Sequence, residues 1–293
     1  MKDLSKSIQV HKLIIFFMFC FYPISLYTQP REKLATVNLS LFFTQSMNDD
    51  WKMGKYEALE FSSSNELIFK IKLFDKISIE SKNRVAIGCK YEYFENTKFS
   101  DILPTDNLVL SEMTIKYVIG WKIDPYISFN LNSQITESFR KIQNSKMPTA
   151  NFRDPITTQE GIGFASKLFQ DKDTRIETSF GATTKQIRAE RYTLLTDNKQ
   201  TKEIERYKTE TGIQLKIDMS HKFTGEITYN GKFDTTLNFH GTNLWQCNSD
   251  NEFKIQLWKI FGILIKFELN YNEQISKKVQ YKQSTKFGII TNI

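Results

Sequence analysis

Long apolar runs are what this chain of 293 residues lacks first. A membrane-spanning helix needs about 20 consecutive apolar residues. The apolar run that opens the chain is about half that, and mean hydropathy is −0.41, which excludes a bundle of membrane helices. Histidine is nearly missing, with three in the whole chain, of which only His221 and His240 lie beyond the first 28 residues. A hydrolytic site needs a nucleophile, a base and an orienting group held together. His221 falls in an expected tight turn, so His240 is the one candidate base. Asp234, Ser249 and Asp250 lie near it in sequence, and the competing reading is an ordinary loop histidine. Two histidines at separate places do not make a metal site. There is no phosphate-cradling loop and no G-x-S-x-G. No enzymatic activity, cofactor or metal is expected. Nor do the three cysteines make a framework, because Cys20 lies in the opening segment and Cys89 and Cys247 lack metal-type spacing. Two isolated thiols are the expectation for the last pair. Forty basic and 33 acidic residues are interspersed without a polybasic tract, which argues against nucleic acid as a partner.

What is present begins with an address. Lys2, Lys6 and Lys12 precede the run from Leu13 to Tyr22, and Pro23, Ser25 and Thr28 follow. A basic start, a short apolar stretch and a breaker are the parts of a secretory signal. Residues 1–28 are therefore expected to be removed, near Tyr27 to Gln29. That segment carries a net charge of +2, so the formal +7 of the whole chain falls to +5 in the remainder.

The remainder counts by twos. Ile263, Ile265, Phe267, Leu269 and Tyr271 share one parity, and Leu264, Lys266, Glu268, Asn270 and Asn272 the other. Successive side chains of a strand point to opposite faces, so such a segment is half greasy and half polar. The same alternation sets Leu67, Phe69 and Ile71 against Glu66, Lys70 and Lys72. It sets Ile213, Leu215 and Ile217 against Gln214, Lys216 and Asp218. Abundant aromatics, 24 Phe and 12 Tyr against 12 Gly and 6 Pro, suit strands and interface girdles.

Alternation predicts strands near 33–45, 56–74, 76–93, 107–121, 124–139, 159–169, 173–187, 206–219, 222–237, 250–259, 262–272 and 275–291. Every second connection is tight, around Asp75, Lys122-Ile123, Gln170-Asp171-Lys172, Ser220-His221 and Ile260-Phe261. The others are longer and polar, and Lys141–Thr158 and Arg188–Glu205 are the longest. A soluble sandwich gives no reason for that rhythm. An up-and-down antiparallel transmembrane β-barrel of about 12 strands does, with short periplasmic turns and long external loops. A single barrel over residues 29–293 in the outer membrane is the expected architecture, with the lipid bilayer and the barrel-insertion machinery as partners. Charged residues facing lipid cost roughly 2–4 kcal/mol each at the midplane, so the charged parity is assigned to the lumen.

Lys82, Arg84 and Lys90 on one strand, and Lys278, Lys282 and Lys286 on another, are the candidate lumen-lining residues, together with Glu268. Glu60, Glu66, Glu80, Glu92 and Glu112 oppose them. Rows of one sign on low-dielectric walls select solutes by charge, so a mildly basic lumen passing a small anionic solute is one expectation. Charges that pair and fill the lumen are the other, leaving a closed barrel whose external loops bind a partner or polysaccharide. Cargo and oligomeric state have no signature in the residues.

Diffuse motifs also suggest a family. They are Asp154-Pro155, Thr158-Gln159-Glu160-Gly161-Ile162-Gly163, Gly181-Ala182-Thr183-Thr184-Lys185, Glu210-Thr211-Gly212, and Val279-Gln280-Tyr281-Lys282-Gln283 before Phe287-Gly288. Together they resemble the uncharacterised barrel-like proteins of Bacteroidota grouped as domain of unknown function 3078. That resemblance implies a barrel and no known activity.

Overall fold

The computed structural model describes residues 32–50, 54–74, 76–94, 99–120, 122–142, 145–197, 201–239, 245–272 and 276–292. The expected signal, residues 1–28, lies outside them, as does His240. Alternating segments become strands β1 (Glu32–Asp50), β2 (Gly54–Leu73), β3 (Ile77–Phe94), β4 (Phe99–Tyr117) and β5 (Ile123–Ser133). A short hairpin, β6 (Ser138–Ile142) and β7 (Ser145–Ala150), interrupts the series. It resumes with β8 (Ile156–Gln170), β9 (Thr174–Arg188), β10 (Tyr207–Lys222), β11 (Ile227–Asn238), β12 (Trp245–Gln256), β13 (Phe261–Asn272) and β14 (Ser276–Asn292). Twelve of these close a barrel in chain order, with β6–β7 as a separate two-stranded sheet between β5 and β8. Each neighbour in the ring is antiparallel, and β1 pairs with β14 from Asn38↔Asn292 to Phe43↔Phe287. Closure leaves the sheet no end strands, which would otherwise present open rows of N–H and C=O groups.

Polarity is inverted relative to a soluble protein. Leu41 (56% exposed), Ile127, Ile162 (61%), Phe164 and Phe180 stand on the outer surface with other large apolar side chains. Buried residues include Ser62, Ser128, Glu177, Thr183, Glu210, Gln214 and Gln246. Aromatics ring the end that carries the short turns, with Phe74, Tyr117, Phe169, Phe223 and Trp258 all exposed. Tyr91, Phe152, Tyr207, Phe239 and Trp245 do the same toward the other end. An apolar band between two aromatic girdles is the surface a bilayer selects.

The short turns are built from local polar locks. Asp171 Oδ1 accepts from the backbone N–H of Thr174 (2.5 Å) and of Asp173 (2.8 Å), closing β8–β9. Those two bonds hold its carboxyl below the ordinary carboxylate range, so the lock is complete at neutral pH and weakens as pH falls through that lowered value. Gly120, at φ +86°, supplies the left-handed residue of the β4–β5 turn.

Three expectations are corrected. Ser220 and His221 are not a turn: both pair in the ladder, opposite Asn230 and Tyr229. The chain reverses at Phe223–Glu226 instead, where Thr224 Oγ1 accepts from the N–H of Glu226 (3.2 Å) and Ile227 (3.1 Å). Likewise the β12–β13 turn is Leu257–Ile260, and Phe261 already belongs to β13. At the opposite end, much of the expected loop length after the first and third strands is strand. The β1–β2 ladder runs to Asp50↔Gly54 and the β3–β4 ladder to Phe94↔Phe99. Polar residues such as Asn48 and Asp49 continue a ladder wherever a partner strand satisfies their backbone, so polarity did not end the strand. Only the β5–β8 and β9–β10 connections remain long among the described residues, the first containing β6–β7 and the second a 3₁₀ turn at Thr193–Leu195.

The closing seam depends on a glycine. Gly288 faces Phe42 on β1, and a Cβ there would strike the carbonyl oxygen of Leu41. Gly225, in the β10–β11 turn, has open space around it. Gly288→Val is expected to abolish heat-modifiable migration on gels, the signature of a closed barrel, while Gly225→Val retains it. A heat-modifiable Gly288→Val protein would contradict the seam.

Candidate functional site

Inward-facing side chains of the half of the barrel nearest the short turns enclose a cavity of about 670 Å³. Parity places them. Even-numbered residues of β1 to β5 and of β10 to β14 supply most of the lining, among them Glu66, Lys82, Arg84, Glu112, Lys216, Lys232, Glu252 and Lys266. Odd-numbered Ala165, Arg175, Glu177 and Ser179 supply it from β8 and β9.

Most of these charges are paired, several across neighbouring strands. Lys82 reaches Glu66 at 3.0 Å and Lys70 reaches Glu80 at 3.2 Å. Glu177 receives both Lys116 and Arg175. Lys266 bridges Asp250 (3.0 Å) and Glu268 (2.6 Å). Some pairs do more than staple neighbours: Lys116 and Glu177 join β4 to β9, and Lys232 on β11 meets Glu112 on β4 at 3.0 Å. Five steps around the ring separate those strands, so the bond runs across the lumen and narrows it. Toward the other end, Glu210 accepts from Lys208 (2.6 Å) and from Gln246 Nε2 (3.0 Å), with Lys185 at 3.5 Å. Gln214 Nε2 donates to both carboxylate oxygens of Asp234 at 2.8 and 2.9 Å. Above them the two long connections interlock. Asp154 accepts from the N–H of Glu190 and Arg191, and Tyr192 Oη donates to Glu137 at 3.1 Å.

The sequence-derived candidates divide. Lys82, Arg84, Lys286 and Glu268 line the cavity. Lys286 sits between Glu60 (3.5 Å) and Ser62 Oγ (3.0 Å), and Arg84 Nε donates to Ser64 Oγ at 3.1 Å. Lys90, on the same parity as Lys82, stands beyond the irregularity at Ile87/Cys89 and outside the cavity lining. Lys282 is paired in register with Glu268. Its side chain, and that of Lys278, lie outside the described residues. Among the described residues nine basic and eight acidic residues line the cavity, a formal balance of +1, which does not by itself support a basic lumen.

Sequence reasoning missed Glu177 and Arg175 because Thr174–Arg188 lacks clean alternation of greasy and polar residues. The usable signal was the trio Arg175, Glu177, Ser179 against Ile176 and Phe180. It also left Lys116, Lys216, Lys232 and Lys254 out of the lumen set, although their parity was already that of the polar face. Of the candidate histidine cluster, Asp234 is held by Gln214 and Asp250 by Lys266. His221 shares a 2.8 Å bond with Thr174 Oγ1 and stands edge-on to Phe223. Among the described residues no group of three or more His, Cys, Asp and Glu is placed to hold a metal ion, and Cys89 and Cys247 are free thiols.

Against known proteins, residues 149–292 match the model of "Protein of unknown function, DUF481". That match does not support the resemblance to domain of unknown function 3078. No curated protein matches. Among solved structures, the translocator domain of the autotransporter NalP from Neisseria meningitidis superposes with a TM-score of 0.39 at 8% identity, over 98% of this chain and 96% of that one. An outer membrane channel from Pseudomonas putida F1 gives 0.40 at 6% identity, over 89% and 94%. The beta domain of the Bordetella autotransporter BrkA gives 0.36 at 9%, over 88% and 98%. No functional residue carries over from any of them.

The trans-luminal pair sets a measurable coupling. Lys232→Met alone leaves Glu112 without its partner, at a cost of about 1–2 kcal/mol once discounted for the 40% exposure of the Lys232 side chain. Glu112→Gln combined with Lys232→Met is expected to cost less than the sum of the single changes in urea unfolding from micelles. Strict additivity would deny the bond.

Proposed function

We propose that this chain is exported by a cleavable signal in residues 1–28 and inserted into the outer membrane by the barrel-insertion machinery. There it serves as a narrow conduit for a small polar solute. The short turns and both barrel termini then face the periplasm, and the interlocked connections face outward. The observation that carries this reading is the lumen. An apolar exterior surrounds a polar interior that keeps about 670 Å³ of free space beside the strut between Glu112 and Lys232. Twelve strands fall between the eight that side chains fill and the 16 to 18 that leave a wide water channel. A path constricted by side chains is what such a size permits.

A second reading is a closed barrel whose loops bind a partner or polysaccharide. The Glu210 cluster and the Asp154 and Tyr192 contacts, which pack the end opposite the cavity, favour it. Electrical recording separates the two. Purified barrel in a planar bilayer is expected to give small, discrete single-channel steps, and Glu112→Ala with Lys232→Ala is expected to enlarge them. Silence from both proteins would overturn the conduit.

A further inference from the structure

Charges in the cavity wall are matched within the wall itself. Beyond the ion pairs already described, Arg84 faces Glu252, which Lys254 also faces, and Lys216 lies among Asp234, Glu112 and Asp218. Asp218 faces Lys232 as well, and Lys286 has Glu60. Glu66, Glu80, Glu177, Asp250 and Glu268 are held in salt bridges. Among the described residues, each charged side chain of the lining therefore meets an opposite charge. An ion of either sign entering this space gives up part of its hydration and finds no free counter-charge.

Neutral hydrogen-bonding groups are in the opposite condition. Thr114, Ser128 and Asn130 line the cavity from β4 and β5, and Ser220, Thr228 and Asn230 from β10 and β11. None of these six side chains has a hydrogen bond among the described residues. They form two patches. Thr114 is opposite Ser128, and Asn130 is opposite Glu112. Ser220 is opposite Asn230, which lies two residues from Lys232 on the same face of β11. The Glu112–Lys232 contact joins the patches, so the lumen between them is as wide as one glutamate and one lysine side chain meeting end to end. Opposite Ser128 stands Gly161, where a Cβ would come within 2.7 Å of the Ser128 hydroxyl oxygen, so the bare glycine keeps that hydroxyl open. Beside the strut, hydroxyl and amide groups thus face a space of about 670 Å³, a size that suits a small molecule.

We propose that the conduit selects neutral polyhydroxylated solutes, the class of monosaccharides and small polyols. Hydroxyls of such a solute both donate and accept, as do the hydroxyls and amides of the two patches. Bonds to the wall then replace those the solute made to water. A charged sugar carries the same hydroxyls and adds a charge that the wall has no group left to match. This inference rests on the reading of the lumen as a solute path and names what that path selects.

The test is release of radiolabelled sugars from proteoliposomes holding the full barrel, in symmetric potassium chloride at neutral pH. Glucose, anionic glucuronate and cationic glucosamine share a ring and differ in charge. Glucose is expected to leave fastest, and each charged sugar roughly ten-fold more slowly, because an ion finds no free counter-charge. Asn130→Leu with Asn230→Leu is expected to slow glucose at least about three-fold, through lost hydrogen bonds, while keeping heat-modifiable migration and single-channel steps. Glu252→Gln, which frees Arg84, is expected to raise glucuronate relative to glucose. Lys76→Gln, in the exposed β2–β3 turn, leaves all three rates unchanged. Release of glucuronate or glucosamine as fast as glucose would overturn the inference. So would release of glucose at the parent rate from the Asn130, Asn230 double variant. Single-channel steps alongside either result would leave the conduit standing. No steps, and no release of any of the three sugars, would strike the conduit itself and the inference with it.

Discussion

Antiparallel backbone bonding that closes on itself is the constraint from which the other features of this molecule follow. Once β14 returns to β1, the sheet needs no covering layer, and its two faces are free to meet different surroundings. The outer face then carries Leu41, Ile127, Ile162 and Phe164, and the inner face carries almost every charge of the strands. Close approach of backbones at Gly288, and at Gly163 opposite Gly181, serves this closure directly. Added Cβ atoms would meet carbonyl groups of the neighbouring strand there.

Placing charges inside such a wall has a consequence for what the barrel can do. A carboxylate or ammonium in the lumen is costly unless matched, so strand parity alone would produce an unstable interior. The chain answers with pairs between neighbouring strands and with longer links, Lys116 to Glu177 and the strut from Lys232 to Glu112, which ties opposite walls. Those pairs bring the lining close to neutrality, and this is why rows of lysine on single strands are a poor guide to selectivity. A row such as Lys82 and Arg84 is read by its neighbours Glu66 and Ser64, which belong to another strand.

The limits of the sequence reading have the same origin. Parity within a strand is a local property, so the twelve strands were legible, and the same parity puts Lys82, Arg84, Lys286 and Glu268 among the residues around the cavity. Which charges neutralise one another is set by register and by the diameter of the ring. Glu112 and Lys232 are 120 residues apart, and no spacing rule connects them. Strand ends were also illegible where polar residues continue the ladder, as at Asn48–Asp50, and where Ser220 and His221 pair rather than turn. The β6–β7 hairpin lay inside a stretch whose polarity reads as loop.

The central claim is that parity separates a lipid face from a water-filled lumen, and alternating cysteine accessibility tests it most directly. With Cys20, Cys89 and Cys247 replaced by serine, single cysteines at Ile265, Lys266, Phe267 and Glu268 of β13 would be challenged in vesicles with a small water-soluble thiol reagent. The account predicts labelling at 266 and 268 and protection at 265 and 267. Uniform labelling, or labelling of the odd positions alone, would contradict it.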